Sequence, residues 1–213
     1  MTYRQEQAAA TRVRIADAAR RLFAVDGYRS TTIEAIAAAA GVGVRTVYAA
    51  FGTKREILSL ICERWLELAQ VRRIVGTALT EPDPLRRVRL AAYFLRALYQ
   101  EGLDVAQLFD AATVEDAQTR DLLRAKLAGR NQAQDAIIES LRPRLVLPLA
   151  AAQAIYRAMA APGIYRELVV ESGWTADEFE DWLARSLCEQ LLGVPAPPRE
   201  DPWPPALTDS YSH

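Results

Sequence analysis

Apolar residues recur along this chain at a period near 3.6, which predicts helices almost throughout and no strand bounded by hairpin turns. The spacing predicts a first helix over residues 8–26, with Ile15, Ala18, Ala19, Leu22 and Phe23 on its inward stripe. A short second helix follows over 32–40, where Ile33, Ile36, Ala37 and Ala40 fall at i, i+3, i+4 and i+7. Thr31 reads as its N-cap, and Glu34 three residues on completes a capping box. Gly41 ends that helix, since a left-handed residue is needed there, and Gly43 caps the next one over 44–51. The third helix has an apolar stripe of Val44, Val47, Tyr48 and Phe51, and Gly52 stops it.

Farther along, Thr53-x-x-Glu56 is a capping box that opens a long helix to about Thr77 through Ile57, Leu58, Ile61, Trp65 and Leu68. Pro82 and Pro84 break the chain before a helix over 85–100. Gly102 and Asp104 punctuate ahead of a short helix over 109–115, and an amphipathic one is expected over 119–141. Pro143 and Pro148 interrupt, then residues 149–161 resume. Thr175-x-x-Glu178 caps a last helix that carries Phe179, Trp182, Leu183, Ser186, Leu187, Gln190 and Leu191 on a broad face. Six of the eleven prolines lie in 194–213, which reads as a flexible tail. The expectation is an all-α protein: a three-helix domain over 1–55, a larger helical domain over 56–193, and the tail.

A helix, a short glycine turn and a second short helix form the arrangement that seats one helix in the DNA major groove. From about Ile15 to Leu58 the chain resembles the DNA-binding domain of the TetR family of transcriptional regulators. The resemblance rests on Ala19 to Phe23, Gly27, Thr31-Thr32-Ile33, Gly41-Val42, Thr46-Val47-Tyr48, Phe51, and Thr53 to Leu58. Two departures stand out: Gly43 where the family often has serine, and Ala49-Ala50 where it often has an aromatic followed by histidine. The two alanines remove contacts that family members commonly make to DNA.

Net charge is −1, but it is unevenly spread. Residues 1–58 hold nine basic and five acidic groups, whereas the remainder holds seventeen basic and twenty-two acidic. A nucleic-acid surface confined to the amino-terminal quarter fits that asymmetry. Histidine chemistry is nearly excluded, because His213 is the single histidine; Cys62 and Cys188 lack zinc spacing and read as buried thiols. No glycine-rich phosphate loop or nucleophile elbow is present, so neither catalysis, a cofactor nor a metal is expected. The apolar stretches fall short of the roughly 18 residues a membrane helix needs. The first thirty residues carry six arginines and no signal-peptide core. A cytoplasmic protein is expected.

In the third helix, the segment from Val44 should lie along base edges, with Arg45 suited to bidentate pairing with guanine. Ala49 either touches a thymine methyl or serves as a small spacer. Thr31 and Thr32 offer a phosphate seat at a helix start. The resemblance further implies that the Thr46 and Tyr48 hydroxyls reach phosphates and that Lys54 grips one. The segment after Pro162 looks like the carboxy-terminal domains of actinobacterial-type members of the family. There the last two helices of each subunit form a four-helix dimer interface, matched here by 149–161 and 177–192. The expected interface residues are Phe179, Trp182, Leu183, Ser186, Leu187, Gln190 and Leu191. The family commonly encloses an apolar ligand, for which Trp65, Tyr93, Phe94, Phe109, Asn131, Gln134, Ile155 and Met159 are the candidate lining residues. The implied function is a homodimeric repressor released from an inverted-repeat operator on double-stranded DNA by a small apolar effector. The alternatives are a constitutive regulator or activator without an effector, or a helical enzyme or interaction module with a degenerate helix-turn-helix.

Overall fold

The computed structural model describes residues 2–112 and 117–198; of the expected tail, 199–213 lie outside the described residues, as do 113–115 of the expected 109–115 helix. Among the described residues there is no strand, and no single helix is long and apolar enough to cross a membrane. Ten α-helices follow in order among the described residues: α1 Tyr3–Asp26, α2 Ile33–Ala40, α3 Val44–Phe51, α4 Lys54–Leu68, α5 Val71–Thr80, α6 Pro84–Ala112, α7 Ala117–Glu139, α8 Leu149–Met159, α9 Pro162–Tyr165 and α10 Ala176–Leu187. A 3₁₀ turn occupies Arg142–Arg144, and wider π-type turns extend α9 through Glu171 and α10 through Leu192.

The chain forms two compact units. Among the described residues, the first gathers 2–65 with 104–112 and 117–127, and the second gathers Leu66–Leu103 with 128–198. A linear reading places one division after residue 55, whereas the structure assigns α4, α6 and α7 partly to each unit. The break in α6 lies at Gly102, whose backbone leaves helical geometry.

In the first unit, α1 starts five residues earlier than its apolar stripe indicates, because the Thr2 N–H donates to the Gln5 side chain at 2.8 Å and begins the helix there. Ile15, Ala18, Ala19 and Phe23 of α1 close a core with Ile36, Ala37, Val47, Phe51, Ile57 and Leu58. Burial of the larger of these side chains stabilises by about 1.5–3 kcal/mol each, and it ties in α2 and α3, eight residues apiece, which would not be stable alone. Near the end of α1, Arg20 makes a two-point ion pair with Asp104 at 2.6 and 2.7 Å. Burial pulls the Asp104 carboxyl up, but hydrogen bonds and charge from Arg20 and the Val105 N–H bring it below its ordinary value of 3.8.

The turn from α2 to α3 is set by Gly41. Its φ of 64° and ψ of 39° are left-handed, and it donates to the Ala38 carbonyl while Val42 donates to that of Ala37. Those two bonds end α2 in a Schellman motif. The N-cap of α2 is Thr32, whose hydroxyl accepts from the Ala35 N–H at 3.1 Å, so a single cap bond one residue later stands in place of the expected Thr31–Glu34 capping box. Gly43 caps α3 in extended backbone with no side-chain bond.

The long helix expected over 53–77 is two helices. Gln70 takes φ 50° and ψ 33°, ending α4 before α5 begins. No glycine or proline announces this break in the sequence.

The second unit is held by polar ties around α6 and α10. Arg96 bridges Asp177 at 2.5 Å and the fully buried Glu180 at 2.8 Å, and Arg89 meets Asp181 at 2.8 Å. The Tyr156 hydroxyl donates to the Ala91 carbonyl at 2.9 Å, and that of Tyr99 donates to the Ala160 carbonyl. The Thr175–Glu178 capping box forms as its sequence indicates. Cys62 and Cys188 are buried and form no disulfide among the described residues, and burial pushes the Cys188 thiol up to about 11.

Two glycines two positions apart should respond oppositely. Gly41→Ala forces an L side chain into left-handed backbone and should lower stability by about 1–2 kcal/mol. Gly43→Ser meets open space, with the nearest atom, Thr46 Oγ1, at 3.8 Å, and should raise stability by a few tenths of a kcal/mol through a new cap. Thermal unfolding checks both. The contribution of Asp104 should be complete above about pH 4 and lost as pH falls through its lowered folded pKa. Asp104→Asn should therefore show a smaller loss of Tm on acidification than the parent protein.

Candidate nucleic-acid interface

The axes of α2 and α3 meet at 105°, within the range of about 90–120° for a DNA-binding helix-turn-helix. Val47 and Phe51 point into the core and fix the rotation of α3 about its axis. With those two inward, Arg45, Thr46, Tyr48 and Ala49 face solvent, Tyr48 being 51% exposed, and Val44 is half-buried. Tyr48 thus leaves the apolar stripe assigned to it by spacing and stands on the outer face. This outer face combines a guanidinium, two hydroxyls and a small methyl-bearing side chain, which is a set suited to base edges and phosphates.

Two of the expected DNA contacts, Thr31 and Lys54, face inward in the free protein. Thr31 is 3% exposed, and its hydroxyl donates to the Gly27 carbonyl at 2.8 Å, so it faces inward. Thr32 is the exposed member of the pair. Lys54 also turns inward: its ammonium donates to the carbonyls of Tyr28 at 2.6 Å, Thr31 at 2.9 Å and Arg29 at 3.3 Å. It also sits 4.4 Å from the centre of the Tyr28 ring. Those contacts occupy the ammonium in the free protein.

Arg12 is a residue the sequence reading missed. Its guanidinium lies 4.1 Å from the centre of the Phe51 ring and donates to the Ala50 carbonyl at the end of α3. A cation there complements the negative end of the helix dipole. The available signal was its spacing, since Arg12 shares the helix face of Ile15 and Ala19.

The expected ligand and dimer residues fall in different places. Trp65 and Phe109 belong to the first unit and stack on one another with centroids 6.2 Å apart. Phe94 and Gln134 are buried in the second unit, while Tyr93, Asn131, Ile155 and Met159 are half-buried. A cavity of about 200 Å³ in the second unit is lined by Tyr93, Leu68, Gln70, Arg96 and Glu101 among others, but by none of the other seven expected residues. Phe179, Leu183, Leu187 and Leu191 are fully buried within the single chain. Their side chains pack the core of the second unit, so they have no surface left to offer a partner. Trp182, Ser186 and Gln190 keep solvent exposure.

A family model described as "Bacterial regulatory proteins, tetR family" matches residues 15–61. Solved structures share the fold at low sequence identity. The transcriptional regulator FadR from Bacillus subtilis, in complex with stearoyl-CoA, superposes with a TM-score of 0.69 at 18% identity, covering 84% of this chain and 98% of its own. The fatty acid degradation regulator FadR from Bacillus halodurans gives 0.68 at 17% identity, covering 83% and 94%. A transcriptional regulator from Saccharomonospora viridis, in complex with choline, gives 0.68 at 20% identity, covering 86% and 98%. No curated protein matches the chain. The family-model match assigns residues 15–61 to the tetR family of bacterial regulatory proteins, as the DNA-binding domain that carries the α2–α3 pair, and the solved structures share the helical fold.

Proposed function

We propose that the protein is a homodimeric repressor that binds an inverted-repeat operator in the cytoplasm and releases it when a small ligand binds the second unit. The observation that carries the reading is the outer face of α3, where Arg45, Thr46, Tyr48 and Ala49 stand exposed beside a rigid glycine turn. One such face reads a few base pairs; two faces related by a two-fold axis read a palindrome about one DNA turn, roughly 34 Å, between half-site centres. Trp182, Ser186 and Gln190, with the exposed alanines of α8 (Ala150, Ala154 and Ala158), remain as the surface for a second copy. Ligand response is supported by the two structures of similar fold that hold stearoyl-CoA and choline. The complete burial of Phe94, Trp65 and Phe109 favours a second reading, a constitutive regulator without an effector.

Arg45→Ala should weaken operator binding by about 1–3 kcal/mol and relax preference at one base pair per half-site. Competition binding against single-base operator variants measures this, and an unchanged preference at every position would contradict the docking of α3. Sedimentation of the purified protein should give a dimer, and Trp182→Arg should shift it toward monomer with a parallel loss of operator affinity. A monomer in the parent protein would contradict the symmetric reading. Thermal-shift screening with acyl-CoA esters and quaternary amines separates the two regulatory readings. A stabilising compound that also weakens DNA binding supports the first, while stabilisation with DNA affinity unchanged supports the second.

A further inference from the structure

We propose that Arg12 is a positioning residue for DNA recognition: reaching across from α1, it caps the carboxy-terminal end of α3 and holds the last turn of that helix in place. The proposal rests on the DNA-binding reading above. At eight residues α3 is too short to be stable alone, and it has no side-chain caps of its own. Gly43 starts it without a side-chain bond, and no basic residue lies in its last turn. Its last carbonyls and the negative end of its dipole therefore need donors and a positive charge from elsewhere. The backbone supplies part of this, since the Gly52 N–H donates to the Tyr48 carbonyl and the Thr53 N–H to that of Phe51, each at 2.8 Å. Between those two lies Ala50, whose carbonyl accepts from the Arg12 guanidinium.

The same guanidinium lies 4.1 Å from the centre of the Phe51 ring, within range of cation–π attraction. Phe51 is buried and is one of the two anchors that set the rotation of α3. One side chain thus meets α3 twice, at a backbone carbonyl and at the neighbouring anchor. A guanidinium suits both contacts at once, because its donors lie in a plane whose face is left for the ring. Arg12 can serve as a fixed point because its own helix is fixed: Ile15, Ala16 and Ala19, one to two turns along α1, are buried. The turn that it holds carries Tyr48 and Ala49 on the outer face. Gly41 sets where α3 begins and Arg12 holds where it ends, so the tilt of α3 on the core is fixed from both ends.

The experiment compares the full-length protein with Arg12→Met and Arg12→Lys. Amide hydrogen exchange is read first, in the free protein. In Arg12→Met the Phe51 and Gly52 amides should exchange about tenfold faster, while those of Gly41 and Val42 keep their rates. A uniform rise at both places marks a general loss of stability, and unchanged rates mark an absent clamp; either overturns the proposal. Binding to a duplex selected from a random pool and to an unselected duplex is then measured across a salt series. Arg12→Met should lower the ratio of the two affinities about tenfold and leave the slope of log K against log salt as in the parent protein. A slope reduced by about 0.9 with the ratio intact marks a phosphate contact and overturns the proposal. Arg12→Lys keeps the charge without the planar fork, so it should recover only part of both readouts. Full rescue by lysine also overturns it. Exchange needs no DNA and so separates the two failures. A parent protein that prefers no duplex refutes the DNA-binding reading, whereas the clamp stands or falls on the Phe51 and Gly52 amides.

Discussion

A single left-handed residue, Gly41, redirects the chain by about a right angle, and the presentation of α3 depends on that change of direction. The two backbone bonds of its Schellman turn satisfy the carbonyls of Ala37 and Ala38, two of the four that a helix end leaves open. The turn is short, and α3 must then pack Val47 and Phe51 against α1. With those two anchors inward, Arg45, Thr46 and Ala49 have no direction left but outward. Recognition chemistry at this face follows from backbone geometry and apolar packing rather than from any attraction among the polar residues themselves.

The surrounding cations divide into those available to solvent and those used to hold the domain. Arg12 is committed to Phe51 and the end of α3, Arg20 to Asp104, Lys54 to the turn before α2, and Arg55 to the Gln118 side chain. Arg45 stays exposed on the outer face of α3. Much of the positive charge that made the amino-terminal quarter resemble a nucleic-acid surface is therefore structural in the free protein. A charge tally locates a binding domain, but it does not distinguish a cation that meets phosphate from one that meets a carbonyl.

How much was legible in the sequence varied by element. The ends of α2 and α3 were readable because glycine at 41 and 52 marks positive φ, and the Thr175–Glu178 box marked the start of α10. The break at Gln70 was not readable, because a glutamine in left-handed backbone carries no sequence signature. Thr31 and Thr32 are adjacent and chemically alike, and the hydroxyl that turned inward was decided by the carbonyl of Gly27. The apolar face of α10 was legible, but periodicity shows that Phe179, Leu183, Leu187 and Leu191 are buried and not by what, and here their own unit buries them. The same limit applies to Trp65 and Phe109, whose partners turned out to be each other.

The most direct test of the account is sequencing of duplexes that the purified protein selects from a random pool. The account predicts an inverted repeat whose half-site centres are separated by about one helical turn. A pool that stays random after selection, or that converges on one unrepeated half-site, would contradict a pair of α3 helices reading base edges.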